Sequence, residues 1–368
     1  MRKPIEARFR VEVVPKQKTI RDVARAAGVG IGTISRVLNS SSQVSRETRA
    51  RVLEAIRRLG FRPNAQARRI LKRRSEIVCF LLSNRDFLHP FHARILQGVE
   101  SYASSLKHHV LFAVLHYSPR TPPEKIDLPP VLQEHGLIDG VILAGTIYPN
   151  LLRRIEAIDM PFVAFSNNVV GIDGDGKYLY DQVGFDDFNG SLQATRYLIK
   201  QGHRLIDFAG DISFPWIQRR FDGYRQAMRE NKLNPVSIMA QNPDGFVDFG
   251  QKSAGRILTQ AARATAVVAG NDEIAYGLWR SLQRHGMKVP DDISLVGFDD
   301  REEAVLMDPQ LSTVRVHKEE IGETCMKMLL ERLHHPRMTF SQRILPTELV
   351  IRGTVRNLSE RHAASRIL

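Results

Sequence analysis

Apolar positions in the first 75 residues recur at helical spacing and predict three short amphipathic helices. Thr19 and Asp22 have the spacing of a capping box, and the first helix should end at Gly28, where a positive φ suits glycine. The apolar face of this helix contains Ile20, Val23, Ala24 and Ala27. A second helix is predicted after the tight turn that Gly28 begins.

Two short helices joined by a tight glycine turn are typical of a helix-turn-helix. The second helix runs through residues 33–38, and the apolar residues that it and the turn should bury are Val29, Ile34, Val37 and Leu38. A third helix is predicted from Ser45 to Gly60, with Val52, Ile56 and Leu59 on its buried face. The N-terminal part is therefore predicted to be a small all-α domain.

Beyond residue 76, short apolar runs alternate with helical patterns. Predicted strands cover residues 77–82, 110–115, 140–143, 162–165, 205–209, 237–240, 266–269 and 294–297, and predicted helices cover 93–106, 190–201, 219–231, 250–262 and 274–285. This alternation predicts parallel sheets with helices on both faces, and the stretch is too long for one doubly wound unit. The predicted fold class is therefore an N-terminal all-α helix-turn-helix headpiece followed by an α/β body of two doubly wound parallel-sheet subdomains.

Composition narrows the class of protein. A hydrophobic fraction of 43% excludes a disordered chain, and the longest apolar runs, such as residues 77–82, are too short to cross a bilayer. The N-terminus has no continuous apolar segment, so no secretory signal is predicted. The two cysteines, Cys79 and Cys325, lie in apolar patterns, which predicts neither a disulfide framework nor a zinc site and favours a reducing cytoplasm.

The positive charge is concentrated at one end of the chain. Residues 1–75 contain 20 Lys and Arg but only five Asp and Glu side chains, whereas the rest of the chain is close to neutral. A basic module joined to a neutral body indicates a headpiece that binds a polyanion such as nucleic acid. An unstructured cationic tail is the alternative, and the helical periodicity argues against it.

Four motifs in the basic module carry a family resemblance. They are T-I-x-D-V-A-x-x-A-G-V, T-I-S-R-V-L-N, V-S-x-x-T-R-x-R-V and F-R-P-N-A, in this order between residues 19 and 71. The module resembles the headpiece of the lac repressor (LacI/GalR) family of bacterial transcriptional regulators. Landmarks in the body, among them HPFHARILQGVE, VGFDDFNG and DPQLSTVR, extend the resemblance to about residue 353 and imply a periplasmic-binding-protein-like body.

The patterns and the resemblance together predict five segments. Residues 1–18 are expected to be a basic, disordered extension, 19–62 the helix-turn-helix DNA-binding domain, 63–75 a hinge helix and linker, 76–353 the two-subdomain effector-binding and dimerisation domain, and 354–368 a C-terminal tail. The tail has too few apolar residues for leucine heptads, so we expect a homodimer rather than a tetramer.

A helix-turn-helix presents the N-terminal end of its second helix to base edges. Ile31 and Gly32 occupy this position, with Arg36 one turn further on. Arg36 suits a guanine edge or a phosphate and Ile31 a thymine methyl group, with burial of Ile31 in the core as the alternative. The resemblance implies further contacts with DNA, namely phosphate contacts for Thr19, Ser35, Asn39, Thr48 and Asn64 and a minor-groove wedge for Ile70, where the family usually has leucine.

The resemblance also implies where a small effector binds. Asp299, Arg220 and Asn271 match family positions that face the ligand, and a carboxylate such as Asp299 can accept hydrogen bonds from neighbouring hydroxyls. Phe91 and Phe246 are candidates to stack on a flat ligand face, with ordinary core packing as an equal alternative. The candidate effector site consists of Phe91, Ser166, Arg220, Phe246, Asn271 and Asp299.

These features predict a sequence-specific transcriptional regulator, expected to be a repressor, that binds a palindromic operator in double-stranded DNA as a homodimer. A carbohydrate effector in the cleft between the subdomains would control it.

No motif typical of catalysis occurs, so we expect no enzyme activity, cofactor, metal site or membrane association, and a cytoplasmic, nucleoid-associated location. Because Ser166 and Val316 depart from the family pattern, a constitutive DNA-binding regulator with a vestigial pocket is an alternative, and a sugar-processing enzyme is another.

Overall fold

The computed structural model describes residues 18–38, 43–61, 74–85, 89–170, 180–259 and 263–359. The chain divides into two compact units, Met1–Ser75 and Glu76–Leu368, and each is described by itself. Among the described residues, no helix is both long enough and apolar enough to span a membrane.

The first unit contains the three predicted helices, Ile20–Ala27, Ile31–Leu38 and Arg46–Leu59. The capping box of Thr19 and Asp22 is present, and Gly28 ends the first helix in the left-handed conformation with φ 64°. Ser45 caps the third helix, and Gly60 ends it with φ 60°. The predicted bounds are confirmed except that the second helix begins two residues earlier than expected.

The three helices enclose a small apolar core. Its buried members are Val23, Ala24, Ala27, Ile34, Val37, Val52, Ala55 and Phe61. Ile56 and Leu59, which were expected on the buried face of the third helix, are only partly buried, and Ala55 is buried instead. The small side chain of Ala55 lets the third helix approach the others closely, which leaves Ile56 and Leu59 at the edge of the contact.

The second unit contains two six-stranded sheets. The strands of the first sheet are β1 Ile77–Ser83, β2 His109–Leu115, β3 Gly140–Gly145, β4 Phe162–Phe165, β5 Asp181–Phe185 and β11 Gln342–Leu345. They lie in the order β11-β5-β4-β3-β1-β2 and are parallel throughout.

The strands of the second sheet are β6 Ile206–Ala209, β7 Val236–Ile238, β8 Ala266–Ala269, β9 Ser294–Asp299, β10 Ser312–Arg315 and β12 Glu348–Val350. They lie in the order β12-β10-β9-β8-β6-β7 and are parallel except for β12, which runs antiparallel to β10. Two doubly wound subdomains therefore form the body, as the alternation of apolar runs predicts.

Helices cover both faces of each sheet. They are Pro90–Ser105, Pro130–Gln133, Pro149–Glu156, Asp187–Lys200, Pro215–Glu230, Gly245–Thr259, Asp272–Arg284 and Lys318–His334, with short 3-10 segments at Pro123–Lys125, Ser166–Asn168 and Glu302–Val305. Helix Lys318–His334 packs against helix Pro90–Ser105 of the first subdomain, whereas Asp187–Lys200 packs against Pro215–Glu230 of the second.

The chain crosses between the two subdomains three times. It enters the second subdomain after β5, returns after β10 into helix Lys318–His334, and crosses again between β11 and β12. At these crossings the carboxyl ends of strands from both sheets meet, which is the edge where open parallel sheets bind ligands. Phe185 at the end of β5 joins the two cores there, since its ring lies 6.0 Å from Phe165 and 6.3 Å from Phe298.

Every predicted strand of the body is present, with bounds that differ by one or two residues. Four strands were not predicted, β5, β10, β11 and β12, and neither were helices Pro130–Gln133, Pro149–Glu156 and Lys318–His334. The buried face of the last of these includes the charged Lys318 and Arg332, which interrupt the apolar stripe that would indicate an amphipathic helix.

Candidate functional site

The second helix of the first unit has one buried and one exposed face. Ile34 and Val37 lie in the core, whereas Ile31, Gly32 and Arg36 are exposed. Ile31 is 46% exposed, so its alternative assignment to the core is wrong. The exposed face thus carries Ile31 and Gly32 at the N-terminal end of the helix and the Arg36 guanidinium in its last turn, where an exposed cation suits a guanine edge or a phosphate.

Hydroxyl groups lie at the N-termini of the neighbouring helices. The Thr19 hydroxyl accepts a hydrogen bond from the Asp22 backbone N–H at 3.4 Å. The Asp22 carboxylate in turn accepts hydrogen bonds from the Thr19 backbone N–H and from the Thr19 hydroxyl, each at 2.9 Å, and these two hydrogen bonds lower the pKa of Asp22. The Thr48 hydroxyl accepts a hydrogen bond from the Ser45 hydroxyl at 2.9 Å. Of the other residues expected to contact DNA, Ser35 is half-buried, while Asn39, Asn64 and Ile70 lie outside the described residues.

A cleft lies in the second unit where the carboxyl ends of the two sheets meet. It has an empty volume of about 400 Å³, part of it open to solvent. The first subdomain lines it with Arg85, His89, Phe91, His92, Asn168 and Phe185, and the second lines it with Trp216, Arg220, Phe246, Asn271, Glu273 and Asp299.

Arg220 organises the polar side of this cleft. It is 3% exposed, its Nε donates a hydrogen bond to Asp187 at 2.8 Å, and Nη1 donates to the carbonyl of Gly270 at 2.8 Å. Its Nη2 lies 3.1 Å from Asp299 Oδ1, and its guanidinium stacks 3.7 Å from the Phe298 ring. Burial acts to lower the pKa of Arg220, but the Asp299 and Asp187 carboxylates outweigh it and raise the pKa, so the guanidinium stays charged.

Asp299 ends β9 in a conformation that side chains seldom adopt, with φ 110°. The Lys318 ammonium donates hydrogen bonds to the carbonyls of Asp299 and Asp300, which fixes the backbone at this point. Burial raises the pKa of Asp299, while Arg220 and Lys318 act to lower it. The carboxylate thus lies between two cations at the edge of the cleft and can accept hydrogen bonds from a hydroxylated ligand.

Asn271 stands beside Asp299 because β8 and β9 are neighbouring strands. Its side-chain oxygen caps helix Asp272–Arg284 by accepting a hydrogen bond from the Ile274 backbone N–H at 2.9 Å. The Asn271 amide nitrogen has no hydrogen bond to side chain or backbone among those identified in the described residues, so it can donate to a ligand.

The aromatic candidates line the same cleft. Phe91 is buried against Phe165 and Phe185, with ring centroids 6.0 Å and 6.2 Å away. Phe246 is half-buried, with its ring 5.6 Å from that of Phe214. Each ring therefore packs against the core and also lines the cleft, and stacking on a ligand stays a prediction.

The structure brings together five of the six predicted effector residues, Phe91, Arg220, Phe246, Asn271 and Asp299. Ser166 does not line the cleft. Its hydroxyl donates a hydrogen bond to the carbonyl of Val183 at 3.3 Å, and Asn168, two residues later, faces the cleft instead. The short 3-10 turn that follows β4 carries Ser166 away from the opening.

Seven further residues line the cleft and were not predicted: Arg85, His89, His92, Asn168, Phe185, Trp216 and Glu273. Arg85 and Asn168 follow the ends of β1 and β4 by two or three residues, so their place after a predicted strand was an available signal. In the part of the chain that the structure describes, no group of three or more His, Cys, Asp and Glu side chains could hold a metal ion.

Comparison with known proteins gives matches to both units. A family model of bacterial regulatory proteins of the lacI family matches residues 19–64, and a model of the periplasmic binding protein-like domain matches residues 195–355. The ribose operon repressor of Haemophilus influenzae is 31% identical over 345 residues, which cover 92% of this chain and 99% of that protein.

Two solved structures are similar over both units. The lac repressor dimer bound to operator and the anti-inducer ONPF is 26% identical, with a TM-score of 0.76 over 93% of this chain and 100% of that one. The complex of the transcriptional regulator CelR with cellobiose is 28% identical, with a TM-score of 0.65 over 92% of this chain and 100% of that one.

Proposed function

The chain belongs to the LacI family of bacterial regulatory proteins, and we propose that it is a transcriptional repressor that binds a palindromic operator as a homodimer. A small hydroxylated effector, a sugar or a derivative of one, controls it from the cleft. The observation that carries this proposal is the combination, in one chain, of an exposed helix-turn-helix face and a cleft lined by Arg220, Asn271 and Asp299.

The DNA-binding step follows from the headpiece. Ile31, Gly32 and Arg36 read bases in the major groove, while the hydroxyls of Thr19, Ser35 and Thr48 and the basic side chains contact phosphates. One headpiece with so small a core binds weakly, and two headpieces linked in a dimer gain affinity through their effective concentration. The lac repressor dimer bound to operator supports this arrangement by analogy.

The effector step follows from the cleft. Asp299 accepts hydrogen bonds from ligand hydroxyls, Arg220 and Asn271 donate to ligand oxygens, and Phe91 and Phe246 cover apolar faces of the ring. Because the cleft lies between subdomains joined by three crossings, a ligand that contacts both walls favours one arrangement of the subdomains over another. The CelR complex with cellobiose supports a sugar as the ligand.

In this proposal the protein regulates transcription and has no catalytic role. It acts in the cytoplasm, on the nucleoid. The named relative is a repressor, and no arrangement of side chains in the cleft requires catalysis. A constitutive regulator would need no organised cleft. The contacts of the buried Arg220 with Asp187, Gly270 and Asp299 argue against a vestigial cleft.

Fluorescence anisotropy on a palindrome selected from random DNA tests the proposal. We expect affinity to fall by about 10³- to 10⁵-fold between 50 and 200 mM salt if 6–10 phosphates are contacted. A panel of sugars and sugar derivatives should then contain one that changes the affinity. Arg36→Ala should weaken binding to the selected site, whereas Arg153→Ala, an exposed arginine of the body, should not.

Two outcomes would contradict the proposal in different ways. Equal binding to the palindrome and to scrambled DNA would contradict sequence-specific binding by the headpiece. Tight, specific binding that no ligand changes would favour the constitutive regulator.

A further inference from the structure

The two walls of the cleft differ in charge. The second subdomain contributes the carboxylates Asp299 and Glu273 together with Arg220. The wall from the first subdomain contains Arg85 and two histidines, and the lining residues that the structure describes on this side include no Asp or Glu. A ligand that spans the cleft therefore meets carboxylates at one end and nitrogen groups at the other.

His92 is the most deeply buried of these nitrogen groups. It is 3% exposed, and its Nε2 lies 3.4 Å from the Asn168 side-chain amide nitrogen. An amide nitrogen donates hydrogen bonds, so Nε2 is the acceptor and the proton of the neutral ring lies on Nδ1. In the described part of the chain Nδ1 has no hydrogen-bond partner, although it is buried at the cleft.

An N–H buried without an acceptor is unfavourable, and a ligand oxygen would remove that cost. Burial lowers the pKa of His92 well below its ordinary value, and the positive charges of His89 and Arg85 act in the same direction. Within the described part of the first subdomain, the charged groups that act on the pKa of this ring are thus all positive, and Glu273 and Asp299 lie on the opposite wall.

The helix that carries His92 adds to the positive potential. Helix Pro90–Ser105 has 16 residues, and its N-terminus lies at the cleft with His89 as the N-cap and proline next. His89 makes no side-chain cap, and no acidic residue occupies the first turn, so no carboxylate of this helix offsets the positive end of its dipole.

Arg85 completes this wall. It follows β1 and lies with its guanidinium 5.2 Å from the centre of the Trp216 ring of the second subdomain. Stacking on an indole holds a guanidinium in one plane, in which its N–H groups can donate to two oxygens of one ligand group.

We propose that Arg85, His89, His92 and the N-terminus of helix Pro90–Ser105 form an anion subsite, so that the effector is an acidic sugar with a carboxylate or phosphate group. This wall offers donors without carboxylates, and an acceptor-only group matches it better than a hydroxyl, which also donates. The hydroxyls of the ligand lie toward Asn271 and Asp299. The inference rests on the proposed function, because it names the class of ligand for the same cleft.

Isothermal titration calorimetry with the full-length protein tests this subsite. The ligands are matched sets: D-ribose, D-ribonate and D-ribose 5-phosphate; D-glucose, D-gluconate and D-glucose 6-phosphate; and inorganic phosphate alone. We expect at least one acid to bind about tenfold or more tightly than its neutral sugar, because charge-assisted hydrogen bonds are stronger than neutral ones. A preference for the carboxylates or for the phosphates then identifies which acidic group the subsite accepts.

Variants link the preference to the subsite. Arg85→Gln and His92→Asn should reduce the ratio of acid to neutral affinity to about twofold or less, and Arg85→Lys should retain part of it because the charge remains. Arg153→Gln removes an exposed charge of the same subdomain that does not line the cleft, and it should leave the ratio unchanged. Circular dichroism melting curves check that each variant is folded.

The inference is overturned if neutral sugars bind as tightly as their acids, if no acid or phosphate binds, or if both variants keep the wild-type ratio. A neutral sugar that binds and changes operator affinity would overturn the anion subsite and leave the proposed function intact. Loss of preference for palindromic DNA, measured by anisotropy, would instead contradict the proposed function itself.

Discussion

Asp272 is a buried carboxylate that the fold holds beside the cleft. It accepts hydrogen bonds from the Thr313 hydroxyl at 2.6 Å and from the Arg301 backbone N–H at 2.8 Å. Burial raises the pKa of Asp272 to about 7, and the negative charge of Asp299 contributes in the same direction. This residue therefore changes its charge in the neutral range, close to Asn271 and Asp299, which line the cleft.

The elevated pKa predicts a pH-dependent stability. Since the folded-state pKa of Asp272 lies above its ordinary value of 3.8, the folded protein binds this proton more tightly than the unfolded chain. The associated stability is present at low pH and is lost as pH rises toward about 7. Asp272→Asn cannot ionise. We therefore expect the unfolding free energy of this variant, relative to that of the wild type, to increase from pH 4.5 to pH 8 by at most about 4 kcal/mol.

Urea unfolding followed by tryptophan fluorescence measures this difference at each pH. Contributions from carboxylates that do not interact with Asp272 are common to both proteins and cancel in the comparison, whereas the contribution of Asp299 is coupled to Asp272. A difference in unfolding free energy that is independent of pH would show that Asp272 has an ordinary pKa in the folded protein.

Single residues of the cleft differ in how far the sequence predicts them. Asp299 and Asn271 end or follow apolar strands, so their place at the ligand edge of a parallel sheet could be predicted. His92 lies inside an apolar helical pattern, where a histidine usually packs in the core, and its contact with Asn168 depends on a residue 76 positions away. Ser166 was misassigned because one short 3-10 turn decides which side chain faces the opening.

At the scale of elements, a close helix crossing joins two parts of the first subdomain. Helices Pro90–Ser105 and Lys318–His334 approach each other at Gly98 and Gly322. A Cβ at Gly98 would overlap the carbonyl oxygen of Glu319, and a Cβ at Gly322 would overlap that of Ile95. The two helices can pack at this distance because both positions lack a side chain.

Gly98→Ala should therefore destabilise the protein, although alanine is the better helix former. We expect a loss of about 1–3 kcal/mol or more, because backbone atoms on both helices have to move apart. Gly255→Ala is a matched control, since Gly255 is also in a helix but has open space around its Cα, and it should gain up to about 1 kcal/mol. Chemical denaturation measures both, and equal effects of the two substitutions would contradict the packing argument.

The same crossing explains why one major helix was not predicted. The buried face of helix Lys318–His334 contains Gly322 at the crossing and the charged Lys318 and Arg332, so its apolar stripe is interrupted in the sequence. Strand β5 is missed for a related reason, because its sequence Asp-Gln-Val-Gly-Phe begins with two polar residues. Asp181 is buried there because Arg332 donates a hydrogen bond to it at 2.7 Å, a tertiary contact that local pattern does not contain.

At the scale of the whole body, a few polar contacts join the two subdomains beside the cleft. Arg94 of helix Pro90–Ser105 pairs with Glu302 of the second subdomain, and Arg219 donates a hydrogen bond to the carbonyl of Asn167 in the first at 2.7 Å. The Arg94 and Glu302 side chains are 40% and 72% exposed, so water screens their pairing. This ion pair therefore adds little to the contacts that hold the two subdomains together.

Arg94→Ala tests this arrangement. An exposed ion pair contributes about 0.2–1 kcal/mol, so the variant should bind the effector that the anisotropy panel identifies with an affinity changed by about 1.5- to fivefold. Arg225→Ala removes an ion pair with Asp222 that lies within one helix, and it should leave effector affinity unchanged. An effect of Arg94→Ala no larger than that of the control would show that this pair does not bias the subdomains.

The three crossings have a consequence for how the protein is made. Both sheets receive their last strand, β11 or β12, from residues 342–350, near the end of the chain. On the ribosome, the helix-turn-helix emerges early and contains its own core, whereas neither subdomain has all its strands until almost the whole chain has been translated. Until then β5 and β10 each have an open edge that another nascent chain could pair with, which makes late translation the stage at which this protein is most exposed to misassembly.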